Sequence, residues 1–126
     1  MTITPVYAAL LALLFVALSW RVIGARRGAR VSLGDGGDET LLRRSRAHGN
    51  FAEYAPIGLL LIAFAETMGA WGWLVHVLNL TLLGGRAAHA YALSGPPNMP
   101  ARTGGMIATF AALVAAALTI LVLSLV

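Results

Sequence analysis

The stretch from Arg46 to Pro56, RAHGNFAEYAP, leads directly into an apolar run, IGLLLIAF, that occupies residues 57–64. A run of this kind belongs in lipid or in a dry protein core, so the polar and charged side chains before it stand where burial is costly. Ionisable groups within a membrane segment are candidates for a functional site. This stretch therefore guides the assignment of both the fold and the site.

The composition is typical of a membrane protein. Of the 126 residues, 59% are hydrophobic and 11% are charged, whereas a soluble domain carries about 25% charged residues. The length fits a single domain. The chain contains no cysteine, so a disulfide framework is excluded and any thiol chemistry must come with a substrate.

The charges follow the pattern of membrane topology. All nine basic residues are arginines, and seven of them flank one connection between apolar segments. This clustering fits the positive-inside rule and not a nucleic-acid-binding face, so we expect no nucleic-acid partner. The acidic residues 35, 38 and 39 match no calcium-loop spacing, and we expect no metal. Asp38 or Thr40 is predicted to cap the next helix.

Four apolar spans are predicted within one transmembrane domain, residues 1–126. About 20 apolar residues suffice to cross the hydrocarbon of a bilayer. The spans cover approximately residues 3–23, 40–68, 71–94 and 101–126. No basic region precedes the first span, so we expect it to be retained and not cleaved as a signal peptide. The predicted fold is therefore all-α, an integral membrane four-helix bundle.

The arginines also predict the orientation of the spans. They lie near the first and third connections, while the short turn at residues 69–70 has none. The positive-inside rule then places both of those connections in the cytoplasm and both termini on the other side. The lack of a targeting segment and the compact form favour a multi-pass protein of a bacterial inner membrane with periplasmic termini.

Helical spacing gathers polar residues of the second span on one face. Arg46, Asn50 and Glu53 are four and three residues apart and therefore share a face, which Tyr54 flanks. The rise of about 1.5 Å per residue separates Arg46 from Glu53 by about 10 Å along the axis. His48 points to the other side, so we expect it to serve a different partner, such as a neighbouring subunit.

The third and fourth spans add further charge at the same membrane level. Arg86 and His89 lie one turn apart on the third span, and Arg102 begins the fourth. An arginine at the bilayer centre costs about 2.5–3.5 kcal/mol on insertion scales. We therefore expect the deeper Arg86 to face a partner, such as Glu53 or the anion of a ligand. The small residues of the fourth span predict close helix contact.

A small zwitterion with several carboxylates suits this set of side chains. Arginines bind carboxylates in a bidentate manner, and Glu53 suits a primary ammonium group. Glutathione carries two carboxylates, one ammonium group and one thiol. A guanidinium beside the thiol would favour the thiolate, which could attack an electrophile dissolved in the bilayer.

At this point a family resemblance is recognisable. The stretch RAHGNFAEYAP resembles the second-helix signature R-x-x-x-N-x-x-E-[YN]-x-P of the MAPEG family, the membrane-associated proteins in eicosanoid and glutathione metabolism. Residues 86–89, RAAH, resemble the third-helix R-x-x-H of its microsomal glutathione transferase branch. Arg102 follows His89 by thirteen residues, as the corresponding arginine does in that branch.

The resemblance implies a homotrimer that binds glutathione, as co-substrate, between neighbouring subunits at the cytoplasmic side. It implies that Arg102 is catalytic and stabilises the thiolate, and that His48 is reached from the adjacent subunit. The other partners expected are membrane lipid and either a lipophilic electrophile or a lipid hydroperoxide. The residues expected to bind glutathione are Arg46, His48, Asn50, Glu53, Tyr54, Arg86 and His89.

One departure from the family pattern keeps an alternative open. Leu93 stands where the family often has a tyrosine, four residues after His89. A non-catalytic MAPEG-fold membrane protein is therefore the alternative to a glutathione transferase or peroxidase. A small four-span exporter that relies on an intramembrane glutamate is less favoured, because Glu53 lies in the second span and the arginines would repel cations. Conjugation and peroxide reduction use the same thiolate, so both stay open.

Overall fold

Four α-helices account for most of residues 1–125, the part of the chain that this computed structural model describes. The bounds are Thr4–Ala29 for α1, Glu39–Thr67 for α2, Gly72–Ser94 for α3 and Met99–Leu123 for α4. No strand occurs among the described residues. The predicted all-α, four-helix fold is thus confirmed.

The first helix extends beyond the apolar span that predicted it. The apolar segment ends near Ile23, yet α1 continues to Ala29 and stops where Arg30 adopts the left-handed conformation at φ 56°. Arg26 and Arg27 lie in its last turn, where positive charge interacts favourably with the helix dipole. Hydropathy therefore predicts which part of a helix is apolar enough for lipid. The end of the helix is set by its C-cap, here the left-handed Arg30.

Polar side chains cap the starts of α2 and α4. Asp38 caps α2 by accepting a hydrogen bond from the backbone N–H of Leu41 at 2.7 Å. Asn98 caps α4 in the same way, accepting from the N–H of Ala101 at 3.1 Å. Short polar side chains at this position satisfy backbone donors that no helical carbonyl can reach.

The helices alternate in direction, and α2 and α3 form a central pair. Both α1 and α4 pack against α2 and α3, whereas α1 and α4 do not contact each other among the described residues. The start of α1 lies beside the end of α2, where Glu66 accepts from the N–H of Thr4. Arg21, further along α1, reaches the carbonyl of Ser94 at the end of α3. The arginine-rich connections therefore lie at one end of the bundle, called the inner end below.

The surface of the bundle is apolar on every helix. Large side chains such as Leu13, Leu80 and Leu121 are more than half exposed, at 69%, 56% and 61%. A surface of this kind needs lipid or another subunit to cover it. Two helices, α1 and α4, are long and apolar enough to cross a membrane by length and composition.

The two glycines Gly85 and Gly105 bring α3 and α4 into backbone contact. A Cβ atom added at Gly105 would lie 2.7 Å from the carbonyl oxygen of Gly85 and 2.8 Å from the backbone nitrogen of His89. The predicted close helix contact is therefore observed. It places the first half of α4 directly beside Arg86, which immediately follows Gly85.

Candidate functional site

The structure gathers groups from α2 and α4 around the guanidinium of Arg86, which lies on α3. This side chain is only 1% exposed. Its Nε donates to Thr109 Oγ1 at 2.9 Å, and its Nη1 donates to Oδ1 of Asn50 at 2.6 Å and to the Asn50 carbonyl at 3.3 Å. Its Nη2 donates to the sulfur of Met106 at 3.1 Å. The Tyr54 ring centre lies 5.3 Å from the guanidinium carbon.

All of these partners are neutral, which leaves the charge of Arg86 without a counter-ion. In the described part of the chain the one ion pair joins Arg43 to Glu39. A guanidinium has five N–H donors, and one on Nη2 donates to no residue that the structure describes. A buried, uncompensated charge costs several kcal/mol, so this position favours the approach of an anion.

Of the two partners expected for Arg86, Glu53 does not contact it within the single chain, and the anion of a ligand stays a prediction. Glu53 is exposed on α2, and the partner that α2 offers to Arg86 is Asn50. At about 100° per residue, Glu53 is rotated by about 60° from Asn50 around the helix. The packing of α2 on α3 therefore brings Asn50 into contact with Arg86 and leaves Glu53 exposed on the surface of the bundle.

The second-helix motif thus divides between two faces. Asn50 and Tyr54 point towards α3 and α4, and the Tyr54 ring packs edge-on against Phe110 at 5.6 Å. Arg46 and Glu53 are exposed. Their outward face of α2 is otherwise apolar and includes half-exposed Leu60 and Phe64.

His48 lies on a third side of α2 and contacts α1. Its Nε2 is 3.0 Å from Ser19 Oγ, and its ring stacks on Phe15 with centres 4.7 Å apart. The Ser19 hydroxyl donates to the Phe15 carbonyl at 2.9 Å, so it accepts from the N–H at Nε2 of His48. The contacts of His48 that the structure describes are therefore with α1 of its own chain. Its contact with a neighbouring subunit stays a prediction.

The remaining predicted residues lie nearer the inner end. His89 is buried one turn after Arg86. Arg102 is exposed at the start of α4 and lines a cavity of about 170 Å³ together with Arg43, Leu93 and Asn98. Met106 follows Arg102 by one helical turn and contacts Arg86. The cavity and the buried cluster are therefore adjacent along α4 but distinct.

Thr109 and Met106 are members of the cluster that the sequence analysis missed. A neutral residue in an apolar helix gives no signal in the sequence that it belongs to a site. Their spacing, however, was informative: Arg102, Met106 and Thr109 are four and three residues apart and share one face of α4. A search for side chains on the face that carries Arg102 would have found both.

Taken together, the structure is an all-helical four-helix bundle with an apolar exterior, two helices that are long and apolar enough to cross a membrane, and a buried arginine cluster. A family model described as the MAPEG family matches residues 4–122. The chain therefore belongs to the MAPEG family, as the second-helix signature predicted.

The chain is similar to proteins of Escherichia coli. The chain is 43% identical over 89 residues to a protein named inner membrane protein YecN from Escherichia coli strain K12, covering 71% of this chain and 68% of the relative. The protein of the same name from Escherichia coli O6:H1 strain CFT073 shows the same identity and coverage. No solved structure matches this chain.

Proposed function

We propose that this protein binds glutathione at the inner end of a homotrimer in a bacterial inner membrane, with both termini periplasmic, and activates its thiol. The thiolate would attack lipophilic electrophiles or hydroperoxides. The observation that carries the proposal is Arg86, a fully buried cation whose partners are all neutral and which retains a free N–H.

A carboxylate is the group that best completes this cluster. Charge-assisted hydrogen bonds to guanidinium groups are about twice as strong as neutral ones. Asn50 uses its Oδ1 to accept from Arg86, so its amide hydrogens stay available as donors. Arg86 and Asn50 therefore offer hydrogens in one neighbourhood, and either carboxylate of glutathione could accept them.

Glu53 supports assembly into a trimer. It lies midway between Glu39 and Thr67 along α2 and is exposed on a largely apolar face. A charged side chain facing lipid at that depth costs about 2.5–3.5 kcal/mol on insertion scales. A second copy of the chain that covers this face would remove the cost. It would also leave Glu53 for the glutathione ammonium and Arg46 for a carboxylate.

Arg102 is the proposed catalytic residue. It lines the inner cavity with Arg43, so a thiol there would lie near two guanidinium groups. Positive charge lowers a thiol pKa, and each pKa unit corresponds to about 1.4 kcal/mol. The resulting thiolate would form an S–C bond with an electrophile while a leaving group departs with the electron pair of its bond to that carbon. With a hydroperoxide, the thiolate would attack the terminal oxygen, so that the O–O bond breaks and the alcohol leaves after taking up a proton. Glutathione would thereby be oxidised to its sulfenic acid, which the thiol of a second glutathione would convert to the disulfide and water.

Calorimetric titration of the detergent-purified protein with glutathione tests the proposal. We expect saturable binding with a Kd below about 1 mM, a free energy of about −4 kcal/mol or stronger. Arg86→Met should abolish it, whereas Arg27→Met, which changes an exposed arginine at the end of α1, should not. Absence of binding by the wild-type protein at millimolar glutathione would overturn the proposal.

A second candidate, a non-catalytic glutathione-binding member, is favoured by one observation. Leu93 lines the cavity that contains Arg102, so the side chain there has no hydroxyl to donate to a thiolate. This candidate predicts glutathione binding without turnover against a panel of electrophiles and hydroperoxides. It also predicts that turnover appears in Leu93→Tyr and is absent from the wild type. An active enzyme would instead show turnover in the wild type.

A further inference from the structure

We propose that Thr109 is a positioning residue for Arg86. Its hydroxyl holds the guanidinium in the orientation that leaves one Nη2 N–H free for an anion. The part of the inference that concerns glutathione rests on the proposed function, whereas the part that concerns Arg86 rests on contacts within the chain.

The hydroxyl of Thr109 is oriented by a second hydrogen bond. It donates its proton to the carbonyl of Gly105 at 2.8 Å, and it is fully buried. Because that proton is already used, the oxygen can only accept from Arg86. The 2.9 Å contact with Nε is therefore directional, and the hydroxyl cannot rotate to compete as a donor.

Two helices fix the guanidinium plane from different sides. Asn50 on α2 holds Nη1, and Thr109 on α4 holds Nε. Met106 contacts Nη2, but a thioether sulfur is a weak acceptor. Without Thr109 the guanidinium would keep its anchor at Asn50 and lose its strong anchor on α4. The group would then turn, and the free N–H would lose its fixed direction.

The same helix contains a natural control for a merely structural role. Thr119 donates to the carbonyl of Ala115 at 2.8 Å, four residues earlier, as Thr109 does to that of Gly105. The hydrogen bonds of Thr119 include none with a charged group among the described residues. A general effect of threonine on α4 should therefore appear equally at both positions.

The experiment compares Thr109→Val, Thr109→Ser and Thr119→Val in the full-length protein. Hydrogen exchange at Nε of Arg86, followed by ¹⁵N NMR in micelles without ligand, reports on the Thr109 contact directly. We expect slow exchange in the wild type, Thr109→Ser and Thr119→Val, and fast exchange in Thr109→Val. Unchanged exchange in Thr109→Val would overturn the inference whether or not glutathione binds.

Glutathione affinity supplies the second readout. Loss of a hydrogen bond to a charged group predicts about tenfold weaker binding in Thr109→Val, with affinity restored in Thr109→Ser. Thermal stability in an Arg86→Met background gives a further check. There, Thr109→Val should cost no more stability than Thr119→Val does, because Thr109 and Arg86 act as a unit and the contact between them is already gone. Equal affinities for Thr109→Val and Thr119→Val would contradict the inference. A wild-type protein that binds no glutathione would instead refute the proposed function, and the exchange measurement would still decide the role of Thr109.

Discussion

The two ends of the bundle differ in how the charge of an ionised side chain is compensated. At the end opposite the arginine-rich connections, called the outer end below, the Glu66 carboxylate accepts from the backbone N–H groups of Thr2, Ile3 and Thr4 at 2.6–2.8 Å. These donors form the start of α1, which has no side-chain cap of its own. Towards the inner end, Arg86 is surrounded by neutral acceptors.

This difference separates a structural charge, Glu66, from Arg86, the charge that we propose to be functional. The N-terminus of a helix carries partial positive charge, so the charge of Glu66 is compensated within the chain. The charge of Arg86 is stabilised only by the dipoles of neutral acceptors, and no carboxylate among the described residues pairs with it. Removing Glu66 should therefore cost stability, whereas removing Arg86 should cost ligand binding.

The largest effect is expected where α3 and α4 touch. Gly105→Ala would place a Cβ 2.7 Å from the backbone oxygen of Gly85, so the helices must separate. We expect the free energy of unfolding to fall by about 3 kcal/mol and glutathione binding to weaken by at least about tenfold, because Thr109 and Arg86 no longer meet. Denaturant unfolding in mixed micelles measures the first quantity.

Gly104→Ala is the matched control for this change. A Cβ at Gly104 meets no atom within 4 Å, and alanine favours a helix over glycine by about 0.5–1 kcal/mol. Its stability should equal or exceed that of the wild type. Equal losses in the two variants would show that the close contact of α3 with α4 is not what holds the Arg86 cluster together.

The next effect concerns Arg86 itself. Arg86→Met removes a buried charge that has no counter-ion and keeps a similar side-chain length. We expect at least about a hundredfold loss of glutathione affinity, near 2.7 kcal/mol. The free energy of unfolding should be unchanged or higher, since apolar replacement of buried charge is often neutral or stabilising. A marked loss of stability in this variant would make Arg86 a structural residue like Glu66.

Glu66→Gln tests the opposite end. Replacing a carboxylate that accepts from three backbone donors should lower the free energy of unfolding by about 2 kcal/mol, without changing glutathione affinity. Glu39→Gln is the control, because the Glu39 side chain is 74% exposed and its ion pair lies at the surface. Stability that falls no further in Glu66→Gln than in Glu39→Gln would contradict the capping role.

The smallest effect is expected at Tyr7. Its hydroxyl lies 2.9 Å from Nδ1 of His76 and joins α1 to α3. Tyr7→Phe should lower the free energy of unfolding by about 1 kcal/mol and leave glutathione binding intact. Tyr91→Phe, at a side chain that is 66% exposed, should be neutral. A binding defect in Tyr7→Phe would show that the outer end communicates with the Arg86 cluster.

The sequence predicted the elements of this fold better than their contacts. Hydropathy is enough to predict four helices, and residue spacing is enough to place Asn50 and Tyr54 near one another. Which side of α2 turns inward depends on how Gly58 and Leu82 allow α2 to pack on α3, and spacing alone does not contain that information. For this reason Arg86 meets Asn50 and Glu53 stays outside.

Contacts between residues far apart in the chain were the other feature that the sequence did not predict. Glu66 contacts residues more than sixty positions earlier in the chain, and no local pattern links them. Thr109 and Met106 are neutral, so they carry no charge that would mark them as partners of Arg86. Arg102, Met106 and Thr109 do share a helical face, and that periodicity was the one usable signal.

The most direct test of this account is a glutathione titration of Arg86→Met beside Glu66→Gln in the same micelles. We predict that Glu66→Gln binds glutathione with wild-type affinity while Arg86→Met shows no saturable binding. Wild-type affinity in Arg86→Met would contradict the account, because the uncompensated charge at the centre of the bundle would then have no part in holding the ligand.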